Sequence, residues 1–348
     1  MTQTALPAAP PTAPARTKSS RGVPVAVLAG LTLTALVVAS IGLGARDISP
    51  AQVLDILLRP HGGGYDSDVL WSERIPRTLL GVAVGASLGA SGLVMQALTV
   101  NPLADPGILG IEQGAALFVV LGILFLDFSG VGGYFWAAFA GSGVTFLVVY
   151  LIGTRRGAGS PAVGLVLAGV AVAAVMSSVI TLLVVRDEAA FSHLRFWSVG
   201  QLTGRAGFLA EAAPFMLAGL LLVLPLGRTL NVLSLGDETA LGLGVRVGRA
   251  RLLCASVAVL LCAAATAAVG PVAFVGLVAA HCARLLVGAD HRWSLPLSMV
   301  CGAALLVGAD TAGRLVVDHG EIQVSVMTAL VGTPFFLWLA RRGDSVRV

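Results

Sequence analysis

Residues 73–110 read E-R-I-P-R-T-L-L-G-V-A-V-G-A-S-L-G-A-S-G-L-V-M-Q-A-L-T-V-N-P-L-A-D-P-G-I-L-G, and this stretch decides the fold. Its middle part, Leu79–Val100, is uncharged over a length that can cross the roughly 30 Å hydrocarbon core of a bilayer. Within it Gly81, Gly85 and Gly89 recur every fourth residue. Such spacing places them on one face of a helix and lets another backbone approach closely. The stretch therefore predicts a transmembrane helix that packs against protein along its glycine face.

The composition of the whole chain points the same way. Of its 348 residues, 57% are hydrophobic and 11% are charged, whereas a soluble domain carries about 25% charged residues. So little polar material cannot cover a water-facing surface, and lipid is the expected environment. Val23–Ala45 is an uncharged run that is too long for a signal-peptide core, so it is predicted to be an uncleaved anchor. We expect an all-α integral membrane domain over residues 23–342.

The two ends of the chain differ from this domain. Residues 1–22 are rich in Pro, Ala and Thr and include Arg16, Lys18 and Arg21, which predicts a disordered basic tail in the cytoplasm. Residues 343–348 form a short C-terminal tail that is also predicted to be cytoplasmic. Because both ends are basic, the number of membrane crossings should be even.

Hydropathy indicates eight clear spans and two arguable ones. The clear ones are Val23–Ala45, Leu79–Val100, Val131–Gly153, Ser160–Val185, Gly207–Gly227, one within Leu252–Ala280, Trp293–Gly313 and Gln323–Ala340. Gln113–Leu126 is arguable because it is short, and Leu252–Val287 is long enough to be divided at Gly270-Pro271. Ten spans place 14 of the 22 basic residues in the cytoplasm, whereas eight spans divide them 11 to 11. The positive-inside rule thus favours ten transmembrane helices with both termini cytoplasmic.

The fifth span carries a stripe of small and mildly polar residues. They are Gly164, Ala168, Gly169, Ala173, Ala174, Ser177 and Ser178. Such a stripe can serve close helix packing, and it can also line a pore. The sequence leaves both readings open.

Residue patterns for catalysis or metal binding do not occur in the sequence. The four cysteines show no C-x-x-C spacing and the five histidines form no pair at metal-ligand spacing, so we predict no metal site. No G-x-x-x-x-G-K-[ST] phosphate loop occurs, and the chain must therefore take energy from another subunit. We predict no catalytic residue, no cofactor and no nucleic-acid partner.

Several long motifs resemble those of the iron-chelate and cobalamin (FecCD-type) permease family of ABC importers. Besides residues 73–110 they are L-R-F-W-S-V-G from Leu194, L-S-L-G-D-E-T-A-L-G-L-G-V from Leu233, G-P-V-A-F-V-G-L-V from Gly270, A-D-T-A-G-R from Ala309 and G-T-P-F-F-L-W-L from Gly332. The resemblance extends from about Val23 to Arg342. The chain departs from the family at Ala280, where Pro is usual, and at residues 321–325, which read E-I-Q-V-S in place of E-x-P-x-G.

The resemblance implies a type II ABC importer permease fold. Two ten-helix permeases, identical or closely related, would enclose one path in the cytoplasmic membrane and would work with two cytoplasmic ATPase subunits and an extracytoplasmic substrate-binding protein. Ferric siderophore is the expected cargo because it is the family's most frequent one, and haem or cobalamin is the alternative. An ion-coupled secondary transporter is less favoured, because such proteins use membrane-embedded charges and the spans hold almost no carboxylate besides Asp310.

Three arginines are candidate docking residues. Arg74 and Arg77 flank Pro76 at the outer end of the second span, and Arg314 lies at the outer end of the ninth. By resemblance they receive acidic residues of the binding protein, a task that suits guanidinium because it stays charged and grips carboxylates bidentately. Alternatively, they are long side chains that snorkel from helix ends. Asp310, four residues before Arg314, is expected to pair with it along the helix.

Two segments on the predicted cytoplasmic side complete the candidate sites. The resemblance assigns Asn101 and Leu103, in the connection after the second span, to an inner gate, although a plain tight turn also explains the Pro and Gly residues there. Between spans six and seven, Gly236, Asp237 and Glu238 open a predicted short amphipathic helix with acids in its first turn. By resemblance this is the coupling helix that contacts the ATPase, and an ordinary interfacial helix is the alternative.

Overall fold

The structure is a computed structural model, and it describes residues 22–44, 50–58, 64–126, 128, 131–154, 161–317 and 320–341. Within these ranges all regular secondary structure is helical. The helices are α1 Gly22–Gly42, α2 Pro50–Leu58, α3 Tyr65–Val69, α4 Ile75–Thr99, α5 Ile111–Leu126, α6 Val131–Gly153, α7 Pro161–Val184, α8 Glu188–Ser198, α9 Phe208–Val223, α10 Leu226–Leu233, α11 Asp237–Gly242, α12 Val247–Val269, α13 Val275–Val287, α14 His291–Leu315 and α15 Val324–Arg341. The predicted tails, residues 1–22 and 343–348, lie outside the described ranges except for Gly22.

Apolar helices occur at all the predicted spans. Within the described residues, six helices are long and apolar enough to cross a membrane. They are α1, α6, α7, α12, α14 and the continuous helix Tyr65–Thr99, whose last part is α4. The pair α9 and α10 qualifies as one span that is bent by 54°, and α5, α13 and α15 contain shorter apolar helices. The all-α membrane fold is therefore confirmed. The number of crossings stays a prediction because three of the ten helices are short.

The break between α12 and α13 falls where the sequence predicts it. α12 ends at Val269, and Gly270 follows with a φ of 83°, a backbone conformation that glycine adopts without a steric penalty. The amide of Gly270 donates a hydrogen bond of 2.8 Å to the carbonyl of Thr266. α13 begins only at Val275. The long apolar stretch Leu252–Val287 is thus two helices.

α4 lies at the centre of the bundle, and its glycine face is a packing face. α4 contacts α9, α12, α13 and α14. A Cβ atom placed on Gly85 would lie 2.5 Å from the carbonyl oxygen of Gly302 on α14, and one on Gly89 would overlap the carbonyl oxygen of Ser298. The two backbones are therefore too close for any side chain at these positions, as the glycine spacing predicts.

Enlarging this contact should destabilise the whole bundle. We expect Gly85→Val to lower the melting temperature of the detergent-solubilised protein by about 5 °C or more, because overpacking of a close contact costs roughly 1–3 kcal/mol. Gly143→Val on α6 is the matched control, because a Cβ atom at Gly143 meets no other atom within 4 Å. Equal melting temperatures for both variants would contradict the close α4–α14 packing.

The small-residue stripe of α7 is packed at one end and exposed at the other. At one end Gly169 packs against the backbone of Ile108 and Leu109, where a Cβ atom would overlap the carbonyl oxygen of Ile108. At the other end Ser177 and Ser178 are exposed. One half of the stripe therefore serves packing, and the other half faces outward from this chain.

Candidate functional site

The predicted docking arginines meet at one end of the bundle, where two of them hold the end of α1. Arg74 donates from Nη1 to the carbonyls of Ile41 at 3.1 Å and Gly42 at 3.0 Å. Arg314 donates from Nη1 to the carbonyl of Ser40 at 3.1 Å. The last carbonyls of a helix lack intrahelical partners and favour nearby cations. Both arginines are buried, with exposures of 7% and 6%, and they connect α1 to α4 and α14.

The third arginine, Arg77, is shared between two carboxylates. Its Nε lies 3.1 and 3.2 Å from the two oxygens of Asp310, and its Nη2 lies 2.7 Å from Oδ1 of that residue. Its Nη1 lies 2.9 Å from Oε2 of Glu321. Asp310 also accepts Arg314 Nε at 3.2 Å, so the predicted pairing of Asp310 with Arg314 is confirmed. The charges form one connected network.

The three arginines line one opening, which we call the arginine cavity. Its volume is about 250 Å³. It is lined by Gly44, Tyr65, Val69, Glu73, Arg74, Arg77, Thr203, Arg314 and Glu321. Sequence reasoning brought the three arginines together but missed Glu321 as their neighbour. The one feature of the sequence that could have indicated this neighbour is that Glu321 is an acidic residue at the start of the E-I-Q-V-S segment.

The predicted gate loop is a tight turn with one exposed apolar side chain. α4 ends at Val100, whose φ is 51°, and the side-chain oxygen of Asn101 accepts the amide of Leu103 at 2.9 Å. Asp105 accepts the amide of Gly107 at 2.9 Å and so begins the 3-10 turn Pro106–Leu109. Burial raises the pKa of the Asp105 carboxyl, although this hydrogen bond opposes the rise. Leu103 is 45% exposed.

The predicted coupling segment forms the short helix α11. Gly236 precedes it with a φ of 93°, and Asp237 and Glu238 occupy its first turn. Asp237 is paired with Arg251 at 2.8 Å, whereas Glu238 is exposed. Leu235, Leu241 and Leu243 are each about 60% exposed. The predicted short helix is present, and the leucines in and beside it face away from this chain.

A hydrogen-bond network fastens the helix before α11 to the start of α14. Asn231 on α10 accepts the amide of His291 at 2.8 Å and donates to Asp290 at 2.7 Å. Asp290 also accepts the amide of Arg292 at 3.0 Å. Burial raises the pKa of Asp290, but the hydrogen bonds and the nearby positive charge outweigh this effect and hold the pKa below its usual value. The first residue of α14 is therefore bonded to α10, the helix that precedes α11. The other end of α14 carries Asp310 and Arg314, which belong to the charge network around Arg77.

A larger cavity lies where α7 ends and α8 begins. Its volume is about 760 Å³. It is lined by Ile180, Thr181, Val184, Val185, Arg186, Glu188, Phe191, Leu194, Arg195 and Ser198. The L-R-F-W-S-V-G motif lies on this helix, but the sequence analysis gave it no role. The end of α7 contributes Ile180, Thr181 and Val184 to the cavity, whose lining is mainly apolar but includes three charged residues.

Apolar helices fill this bundle, an amphipathic helix is exposed for a partner, and the sequence has no phosphate loop. These features are those of an integral membrane protein that offers a short helix on its surface. The chain belongs to the FecCD transport family, which matches residues 32–342. It is therefore a permease subunit of an ABC transporter in the cytoplasmic membrane and not itself an enzyme. Family membership sets aside a secondary transporter that works alone.

Known proteins resemble the chain over almost its whole length. It is 41% identical over 317 residues to the ferric enterobactin transport system permease protein FepD of Escherichia coli, covering 90% of this chain and 94% of that protein. It is 38% identical over 309 residues to the Fe(3+)-citrate import system permease protein YfmD of Bacillus subtilis, covering 88% and 91%. A solved structure described as an inward-facing metal-chelate type ABC transporter matches with a TM-score of 0.79 and 30% identity, covering 92% of this chain and 99% of that one. Other relatives are named as permeases for hemin and for cobalamin.

Proposed function

We propose that this permease carries ferric siderophores into the cell in an ATP-driven importer. The observation that carries the proposal is the 41% identity, over 90% of the chain, to a permease named for ferric enterobactin. A large chelate needs a wide path with few fixed charges, and the small neutral residues of α7 suit such a path. Haem or cobalamin remains the second candidate because relatives named for those cargoes share the family.

The importer would contain two copies of this permease or one copy and a paralogue. The exposed side chains of α7 support this arrangement, because Leu167 and Leu182 are each more than 60% exposed, Ser177 and Ser178 are exposed, and the following Ile180 and Thr181 line the larger cavity. A second permease against this face would close the cavity into a path. Leu103 would contact the partner permease as part of the inner gate, while Asn101 shapes the turn that presents it.

The remaining partners would bind at opposite ends of the bundle. Two ATPase subunits would receive the coupling segment Gly236, Asp237 and Glu238, for which the exposed leucines around α11 provide an apolar contact surface. The extracytoplasmic binding protein would dock at the arginine cavity and place carboxylates against Arg74, Arg77 and Arg314. The internal bonds of these arginines support docking in one respect: they hold the guanidinium groups in fixed positions around one opening, which lowers the entropy cost of binding.

Binding of the ATPases and the binding protein at opposite ends of the bundle requires that these ends lie on opposite sides of the membrane. We infer ten crossings with both termini in the cytoplasm. The loop after α11 would then face the cytoplasm, and α8 would face outward. After replacement of the four native cysteines, we expect an impermeant maleimide added to intact spheroplasts to label His193→Cys on α8 but not Leu243→Cys after α11. Both residues are exposed, so both variants should react once the membrane is permeabilised. Labelling of the Leu243→Cys variant from outside would contradict the ten-span topology.

The cargo can be identified by growth on single iron sources. A deletion strain of the source organism should lose growth on one or more ferric siderophores as sole iron source and regain it with the intact gene. Haem as iron source and cobalamin-dependent growth are the matched conditions for the alternative cargoes. If the deletion strain loses growth only with haem as iron source, haem is the cargo. If it loses only cobalamin-dependent growth, cobalamin is the cargo.

A further inference from the structure

The two carboxylates that share Arg77 differ in accessibility. The side chain of Asp310 is 5% exposed and occupies the Nε and Nη2 edge of the guanidinium in a bidentate pair. The side chain of Glu321 is 29% exposed and occupies Nη1, on the side of the arginine cavity. A guanidinium presents its donors in a fixed planar fork. Glu321 therefore holds Nη1 of Arg77 on the side from which an incoming carboxylate would approach through the cavity.

Glu321 is held in this position by bonds around it. Its Oε2, the oxygen 2.9 Å from Arg77 Nη1, also accepts the hydroxyl of Thr203, and the next residue, Ile322, donates from its amide to the carbonyl of Gly313 at 3.1 Å. Burial pulls the pKa of Glu321 upward, but the Thr203 hydroxyl and the charges of Arg77 and Arg314 hold it below its usual value. A depressed pKa means that the ion pair persists above that pKa and is lost only as the pH falls through it. Glu321 is therefore a charged competitor at neutral pH.

We propose that Glu321 occupies Arg77 in the undocked permease in place of a binding-protein carboxylate, and thereby sets the docking affinity. The inference rests on the proposed docking role of Arg77. Docking would exchange one carboxylate for another at the same donor, so the arginine is never left without a charge partner. The net gain in affinity from Arg77 is accordingly smaller than that of a free arginine, which suits a partner that must dissociate after each delivery.

The segment that carries Glu321 leads directly into α15. Ser325, one turn after Glu321, donates from its amide to the carbonyl of Gly200 at 3.4 Å and from its hydroxyl to the carbonyl of Val199. Val199 and Gly200 directly follow α8, which lines the larger cavity. The segment that carries Glu321 thus joins α14, α15 and the end of α8.

The test compares two glutamates of the same cavity. Glu321→Gln removes the competing charge, keeps the shape of the side chain and can still accept the Thr203 hydroxyl. Glu73→Gln removes the same charge from an exposed residue that lines the same cavity. The full importer in nanodiscs is titrated with the purified binding protein of that importer, loaded with ferric siderophore, by surface plasmon resonance.

Glu321→Gln should tighten binding about two- to fivefold, which is the range expected when a partly exposed ion pair no longer competes. Glu73→Gln should have a clearly smaller effect, because Glu73 changes only the general charge of the cavity. Thr203→Val, which loosens Glu321 without changing charge, should also tighten binding. Equal tightening by Glu321→Gln and Glu73→Gln would overturn the proposal, as would unchanged or weaker binding with Glu321→Gln.

Arg77→Gln separates this inference from the docking proposal itself. If Arg77 docks the binding protein, Arg77→Gln weakens binding, and Glu321→Gln has no further effect in that background. Weakened binding with Arg77→Gln together with a neutral Glu321→Gln would refute the competition and leave docking intact. Unchanged binding with Arg77→Gln would refute docking at this residue and the competition with it.

Discussion

Uptake should be abolished in the Glu238→Arg variant, with normal membrane insertion. Glu238 is exposed in the first turn of α11, so the reversed charge alters the surface offered to the ATPase and not the packing of this chain. Deletion of residues 236–238 should have the same effect because it removes the turn that positions α11. The measurements are uptake of radiolabelled ferric siderophore by cells and co-purification of the ATPase with the tagged permease.

A matched charge reversal elsewhere makes this experiment specific. Glu188→Arg on α8 carries the same charge reversal at an exposed residue of the predicted opposite end and should leave ATPase co-purification unchanged. Asp237→Arg should be less informative, because Asp237 is paired with Arg251 and its loss would disturb α11 itself. Normal uptake by Glu238→Arg, at normal expression, would remove this segment from energy coupling.

The second large effect is expected for reversal of the docking charges. Each charge-assisted bond to the binding protein would contribute about 1.5–3 kcal/mol when desolvated, so Arg74→Glu combined with Arg77→Glu should weaken binding by roughly a hundredfold or more. Arg74→Glu alone should have a smaller effect. Binding by the wild type should also weaken between low and high salt, because electrostatic contacts are screened.

Arg74 and Arg77 also make bonds within this chain, so their substitution could weaken binding by disturbing the fold. A structural control is therefore needed. Arg74 holds the end of α1, and Arg77 neutralises the buried Asp310. Asp310→Asn disturbs the internal network without removing a docking charge, so it should lower thermal stability and change binding far less than the double charge reversal does. Partial recovery of binding when a facing glutamate of the binding protein is changed to Arg would support direct contact. Unchanged affinity in the double variant would show that the arginines serve only to anchor helix ends.

The sequence predicted those parts of the fold that depend on local patterns. Hydrophobic run lengths located the apolar helices, Gly270 located the break after α12, and the four-residue glycine spacing identified the packing face of α4. A glycine followed by two acids likewise predicted α11. Each of these features depends on residues that are close in the chain, and their helical periodicity or turn chemistry can be read without knowing the neighbours.

The partners of the arginines could not be predicted in the same way. Arg77 and Glu321 are 244 positions apart, and Arg314 and Ser40 are 274 apart. Their contact depends on which helices are adjacent and how each is rotated about its axis, and hydropathy does not encode either. Their predicted role in docking stays a prediction, and the bonds of these arginines to α1 and to Asp310 became visible only in the structure. The cavity beside α8 was missed for the same reason, because two helices build it together.

The central claim is that this chain is the membrane path of an ATP-driven importer of ferric siderophores. Its most direct test is uptake of ⁵⁵Fe-labelled siderophore into proteoliposomes that contain this permease with its second permease subunit and its ATPases. We expect uptake only when the loaded binding protein is outside and hydrolysable ATP is inside, and no uptake with a non-hydrolysable ATP analogue. Uptake that proceeds without ATP, or that follows an imposed ion gradient, would contradict it.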